Sequence, residues 1–205
     1  MKDKVNKKTT KPSAKSVSYI LDETGSMMGF KTQTISGFNE YIKTLKADKL
    51  VKYKMTLTRF NSNSISIDYL DKPIADVPEL TSDTYRPRDL TPLYDAIGKT
   101  ITDIESKKAV GKDILFVIMT DGQENASKEY TRTTIFDLIK KKTADGWTFV
   151  FLGATQDAYA EAGKMGVSNA VLYSLGATRQ TFAQGASATM HWARTSDTSG
   201  FSKKK

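Results

Sequence analysis

Tyr19-Ile20-Leu21-Asp22-Glu23-Thr24-Gly25-Ser26-Met27 begins as a strand and ends as a turn. Upstream and through it, Val17, Tyr19 and Leu21 alternate with Ser18 and Ile20, the period-2 pattern of a β-strand, and the run stops at Asp22. The Asp22-x-Thr24-x-Ser26 turn that follows puts one carboxylate and two hydroxyls at alternate positions. Such hard oxygen donors suit Mg²⁺ or Mn²⁺ better than zinc. The same residue types also make an ordinary helix-capping turn, so the segment alone supports either reading.

The rest of the chain supplies the context. Ile35, Phe38, Ile42 and Leu45 recur at helical spacing within Thr34 to Lys46. Tyr53 to Phe60 and Ser64 to Leu70 alternate as strands around Asn61-Ser62-Asn63, which predicts a hairpin with one antiparallel edge strand. Asp71 to Leu90, with three prolines, reads as a long connection. Leu93, Ala96, Ile97, Ile101 and Ile104 mark a helix from Pro92 to about Ala109, with Thr91 expected as its N-cap. Ile114 to Met119 is an unbroken apolar run ending at Thr120-Asp121-Gly122, as expected of a central parallel strand buried on both faces. Helices at Tyr130 to Asp145, Asp157 to Lys164 and Gly176 to Arg194 then alternate with strands at Trp147 to Leu152 and Ala170 to Tyr173. This order predicts an α/β, Rossmann-like three-layer sandwich. Its central sheet is mostly parallel, with one antiparallel edge strand and helices on both faces. In open sheets of this kind ligands bind beyond the carboxyl ends of the strands, where Asp22 and Asp121 both fall.

Bulk properties narrow the function. At 205 residues, with 39% hydrophobic and 26% charged side chains, the chain is expected to form one domain over 16–195. A basic N-terminal tail at 1–15 and a basic C-terminal tail at 196–205 would flank it. The net charge of +8 resides in those ends: six lysines against Asp3 at the start and three lysines at the finish, leaving 22 residues of each sign in between. A neutral body gives no basic groove for specific nucleic-acid binding, although the tails would contact polyanions weakly. Cysteine is absent, which excludes disulfides, thiolate zinc sites and a cysteine nucleophile. No apolar run reaches the roughly 20 residues of a membrane span or forms a signal peptide, so a cytoplasmic protein is expected. His191 is the single histidine and is read as a solvent or core residue.

Three loops are thus expected to converge: Asp22 to Ser26, Leu90-Thr91-Pro92 and Thr120-Asp121-Gly122. Each alone is a common turn or helix start, but together and in this order they are far more specific. The pattern resembles the von Willebrand factor A (vWA) family and its metal-ion-dependent adhesion site (MIDAS), over roughly residues 16–195. The family pattern is an Asp-x-Ser/Thr-x-Ser turn, a distant Thr before a helix and an Asp after a buried strand. The similarity extends to small stand-alone members from bacteria and their phages, which implies a host-cell cytoplasm or a virion. It implies metal ligation by Asp22, Thr24, Ser26, Thr91 and Asp121, with Mg²⁺ or Mn²⁺ as cofactor. It also implies no catalysis, and a protein partner whose Asp or Glu completes the coordination sphere. Thr24 stands where serine is commoner, a mild departure because its hydroxyl still offers oxygen. Arg88-Asp89-Leu90 stands where the family often places a glycine pair, so Asp89 is expected to add a carboxylate behind the site. Glu23 and Glu124 flank the site and are read as solvated loop carboxylates.

A rival from another class shares the first motif. Asp22 to Ser26 also resembles the phosphorylated-aspartate motif of haloacid-dehalogenase-type phosphotransferases, in which Asp22 would be the nucleophile beside Mg²⁺. That reading leaves Thr91 without a role and calls for a lysine near the phosphate.

Overall fold

The alternation of Val17, Tyr19 and Leu21 with Ser18 and Ile20 places them on opposite faces of a central strand, and both faces are buried. In the computed structural model, residues 14–107, 113–153, 155–172 and 178–201 are described. The strands are β1 (Lys15–Asp22), β2 (Tyr53–Asn61), β3 (Ser64–Pro73), β4 (Ile114–Thr120), β5 (Thr148–Gly153) and β6 (Asn169–Leu172). The helices are α1 (Lys31–Ala47), α2 (Leu93–Ser106), α3 (Arg132–Ala144), α4 (Gln156–Lys164) and α5 (Thr178–Thr195). One six-stranded sheet runs β3-β2-β1-β4-β5-β6, with only β3 antiparallel to its neighbour. The expected architecture, including the antiparallel edge, is the one observed.

Two apolar layers sandwich the sheet. Val17, Tyr19, Leu21, Leu115, Val117 and Met119 face the layer formed with α1 and α5, while Ile20, Ile114, Phe116 and Ile118 face the layer with α2 and α3. The unbroken apolar run of β4 follows from this, since each successive side chain enters one core or the other. Where α1 meets α5, Gly37 is a notch: a Cβ there would lie 2.1 Å from the Phe182 ring. Among the described residues, no helix is long and apolar enough to cross a membrane.

Among the element ends that depart from expectation, three concern the expected tails and the loop that carries Thr91. Lys15, read as the last tail residue, opens β1 by donating its N–H to the Lys52 carbonyl. Residues 199–201, read as tail, form a 3₁₀ turn that buries Phe201 in the α5-side core. Helix α2 starts at Leu93 with Pro92, not Thr91, at the N-cap position and without a side-chain cap. The Thr91 backbone is held by Asn125 on both its N–H and its carbonyl, so Thr91 is tied to another loop. The 1–13 part of the N-terminal tail, Tyr173, the helix start at 176 and residues 202–205 lie outside the described residues.

Candidate metal centre

Parallel, in-register pairing of β1 with β4, from Ser16 beside Ile114 to Leu21 beside Met119, brings the loops after the two strands together. Asp22 is fully buried and its carboxylate is held at both oxygens. Oδ1 accepts the Thr24 N–H at 2.7 Å, and Oδ2 accepts the Thr120 hydroxyl at 2.5 Å. Thr24 and Ser26 hydroxyls lie 3.2 Å apart, and the Ser26 hydroxyl donates to Asp121 Oδ1 at 2.7 Å. Four of the five residues named from the sequence therefore form one hydrogen-bonded cluster.

Thr91 joins the cluster from a third loop. A Cβ on Gly122 would stand 3.3 Å from the Thr91 hydroxyl and 3.6 Å from that of Ser26, so both hydroxyls border the space that this glycine leaves open. Having no capping role, the Thr91 side chain makes no hydrogen bond among the described residues.

Burial governs the electrostatics of the two aspartates. Burial pushes the Asp22 carboxyl up to about 7 against the lowering effect of its hydrogen bonds, and the neighbouring Asp121 charge adds to the rise. Burial also raises Asp121 above the usual carboxylate range. Among the described residues neither aspartate has a cationic side chain within ion-pair distance. Two buried acids without a counter-charge, three hydroxyls and a glycine cradle fit a divalent cation. No group of three His, Cys, Asp or Glu side chains suited to a metal exists among the described residues, so a metal here draws on hydroxyls.

Several residues do something other than expected. Glu23 is not a solvated carboxylate: it accepts the Arg86 N–H at 2.5 Å and pairs with Arg59 at 3.1 Å. Together with bonds from Arg88 N–H to the Glu23 carbonyl and from Gly25 N–H to the Asp89 carbonyl, it zips the 85–91 segment onto the Asp22 turn. The Tyr85 hydroxyl adds a bond of 2.5 Å to the Asp22 carbonyl. Glu124 is likewise structural, accepting from the N–H groups of Tyr94, Ala126 and Ser127 and from the Ser127 hydroxyl. It therefore supplies from a distant loop the cap that Thr91 does not. Asp89 turns its carboxylate to Asn63 at 2.7 Å rather than into the site, and serves the site through its backbone carbonyl. Its φ of 65° is the left-handed conformation that a glycine would adopt more readily there. His191, by contrast, is a solvent residue as expected, and pairs with Asp197 at the surface, 3.0 Å away.

Sequence reasoning missed Thr120, Asn125 and Thr155. Thr155 caps α4 and donates its hydroxyl to the Asp121 carbonyl at 2.9 Å. The only signal for Thr120 was its place immediately before Asp121, and its partner follows from strand pairing.

No protein-family model matches the sequence, and no curated protein matches it. Solved structures do. The vWF domain of the type V pili tip protein Mfa5 from Porphyromonas gingivalis superposes with a TM-score of 0.64 at 10% identity, over 94% of this chain and 97% of that one. A von Willebrand factor type A protein from Catenulispora acidiphila gives 0.61 at 12% identity, over 87% of this chain and 43% of that one. Proximal thread matrix protein 1 from the mussel byssus gives 0.60 at 13% identity, over 84% and 46%. A further structure of the mussel protein, with a zinc-occupied MIDAS motif, gives 0.52 at 13% identity, over 83% and 46%. The chain thus spans less than half the length of the mussel and Catenulispora proteins. With its sheet order, its single antiparallel edge and these superpositions, the chain has the von Willebrand factor A fold.

Proposed function

We propose that this chain is a non-enzymatic, divalent-metal-dependent protein-binding module. Asp22, Thr24, Ser26, Thr91 and Asp121 hold Mg²⁺ or Mn²⁺, and an Asp or Glu of a partner protein completes the coordination sphere. The observation that carries this reading is the pair of buried aspartates, set among three hydroxyls, with no cationic side chain within ion-pair distance among the described residues. Neutral hydroxyl ligands leave a bound cation with most of its charge, and Mg²⁺ keeps exchangeable waters that an incoming carboxylate can displace. The zinc-occupied MIDAS of the mussel protein supports a metal at this place in the fold. Burial of Asp22, with both oxygens already accepting hydrogen bonds, fits a ligand better than an attacking nucleophile.

Calorimetric titration of Mn²⁺ and Mg²⁺ tests the site. Binding is expected in the wild type and lost in Asp121→Ala, and a wild type that binds neither ion below about 1 mM overturns the proposal. For the partner, proteins retained from the native host on immobilised chain should elute with chelator and should not be retained by Thr91→Ala. Retention indifferent to both would refute the carboxylate mechanism.

A further inference from the structure

Thr120 joins the two aspartates of the site without being one of its expected ligands. It ends β4 beside Asp22 at the end of β1, as the in-register parallel pairing requires. Its buried hydroxyl does two things at once: it donates to Asp22 Oδ2 at 2.5 Å and accepts the Gly122 N–H at 3.1 Å. The first bond fixes Asp22, and the second fixes the turn that carries Asp121. Because Asp22 Oδ1 is held independently by the Thr24 N–H, the carboxylate cannot rotate about its terminal torsion without breaking one of two bonds.

Resting on the metal-site reading above, we propose that Thr120 is a positioning residue that sets metal preference, favouring Mg²⁺ and Mn²⁺ over Ca²⁺. The physical reason is the different tolerance of the ions. Ca²⁺ accepts six to eight oxygens in flexible geometry, with carboxylates often chelating through both, whereas Mg²⁺ demands near-octahedral geometry at roughly 2.0 to 2.1 Å. A carboxylate clamped at both oxygens presents itself in one orientation and is prevented from swinging both oxygens toward one ion. Once the Thr120 hydroxyl is gone, Asp22 Oδ2 is free to turn, and the site tolerates the larger ion.

The decisive comparison is Thr120→Ser with Thr120→Ala, because both lose the methyl group and differ only in the hydroxyl. Each is titrated calorimetrically with Mn²⁺ and with Ca²⁺, alongside the wild type, after circular dichroism in chelator has shown that it folds. Thr120→Val, which keeps the shape without the hydroxyl, takes the place of Thr120→Ala if the latter does not fold. The serine variant should match the wild type. The hydroxyl-free variant should bind Mn²⁺ on the order of tenfold more weakly or worse, and Ca²⁺ by less than about threefold, narrowing the Mn²⁺ to Ca²⁺ affinity ratio. Equal Mn²⁺ affinities for the serine and hydroxyl-free variants overturn the proposal. So does an equal loss for both ions, which would make Thr120 merely structural. A wild type that binds no Mn²⁺ instead removes the metal-site reading on which the proposal stands.

Discussion

Burial withdraws Asp22 from water and raises its carboxyl to about 7, and the nearby Asp121 charge works in the same direction. The sign of the consequence follows from linkage. A carboxyl with a folded value above its unfolded value near 3.8 contributes stability that is fully present below the unfolded value and lost as pH rises through about 7. The chelator-treated protein should therefore become less stable between about pH 4 and pH 7, by at most about 4 kcal/mol from this group, at 1.36 kcal/mol per pH unit. Asp22→Asn keeps an oxygen for the Thr24 N–H and offers an N–H to the Thr120 hydroxyl, so at pH 8 in chelator it should melt several degrees above the wild type. The same variant should gain nothing from added Mg²⁺, and a lower melting point at pH 8 would contradict this account. A second outcome concerns protons. At pH 6 most Asp22 carboxyls are protonated, so metal binding should release close to one proton per ion, falling toward zero by pH 9. Calorimetry in buffers of different ionisation enthalpy measures that number directly.

Helix α2 illustrates how an element end can be secured from outside. Its first turn receives no bond from Thr91; Glu124, thirty residues on, accepts the Tyr94 N–H instead and also closes its own loop through Ala126 and Ser127. Asp95 in α2 reciprocates by accepting the N–H groups of Lys128, Glu129 and Tyr130. Removing either carboxylate orphans several amides, so Glu124→Ala and Asp95→Ala should each destabilise the protein by about 1 to 3 kcal/mol in urea unfolding. Glu124→Ala should also weaken metal binding, because it loosens the turn that leads from Asp121 to Asn125 and hence to Thr91. At the other layer, the Phe182 ring of α5 occupies the space over Gly37 in α1, and Phe201 is buried in the same core. Phe201→Ala should cost about 3 to 5 kcal/mol in urea unfolding, the usual result of emptying a core aromatic site.

The chain builds the sheet outward in opposite directions from the parallel pair β1 and β4, so the loops after these two strands open onto one crevice. A cation bound there would link residues from three separate loops and would act on the whole fold. At a Mg²⁺ concentration 100 times the dissociation constant, stabilisation should be about 2.7 kcal/mol, seen as a melting point several degrees higher than in chelator. The placement of these residues was readable from residue order, whereas their joint ligand role is what the vWA resemblance implies. Asp22, Thr24, Ser26, Thr91 and Asp121 lie at strand and helix ends that hydrophobic periodicity locates, and periodicity is a local property of the chain. The unbroken apolar run of β4 likewise indicated a strand buried on both faces, whereas the two-sided burial of the alternating β1 follows from its place in the middle of the sheet. Pairings across long sequence separation were not readable, because they depend on which strands become neighbours and in what register. The Thr120 bond to Asp22, the Glu124 cap on α2, the turning of Asp89 toward Asn63 and the burial of Phe201 all arise that way. Local pattern selects the residue types and the elements that carry them; packing selects their partners, since a hydrogen bond or a desolvated charge is defined by what lies a few ångströms away in space.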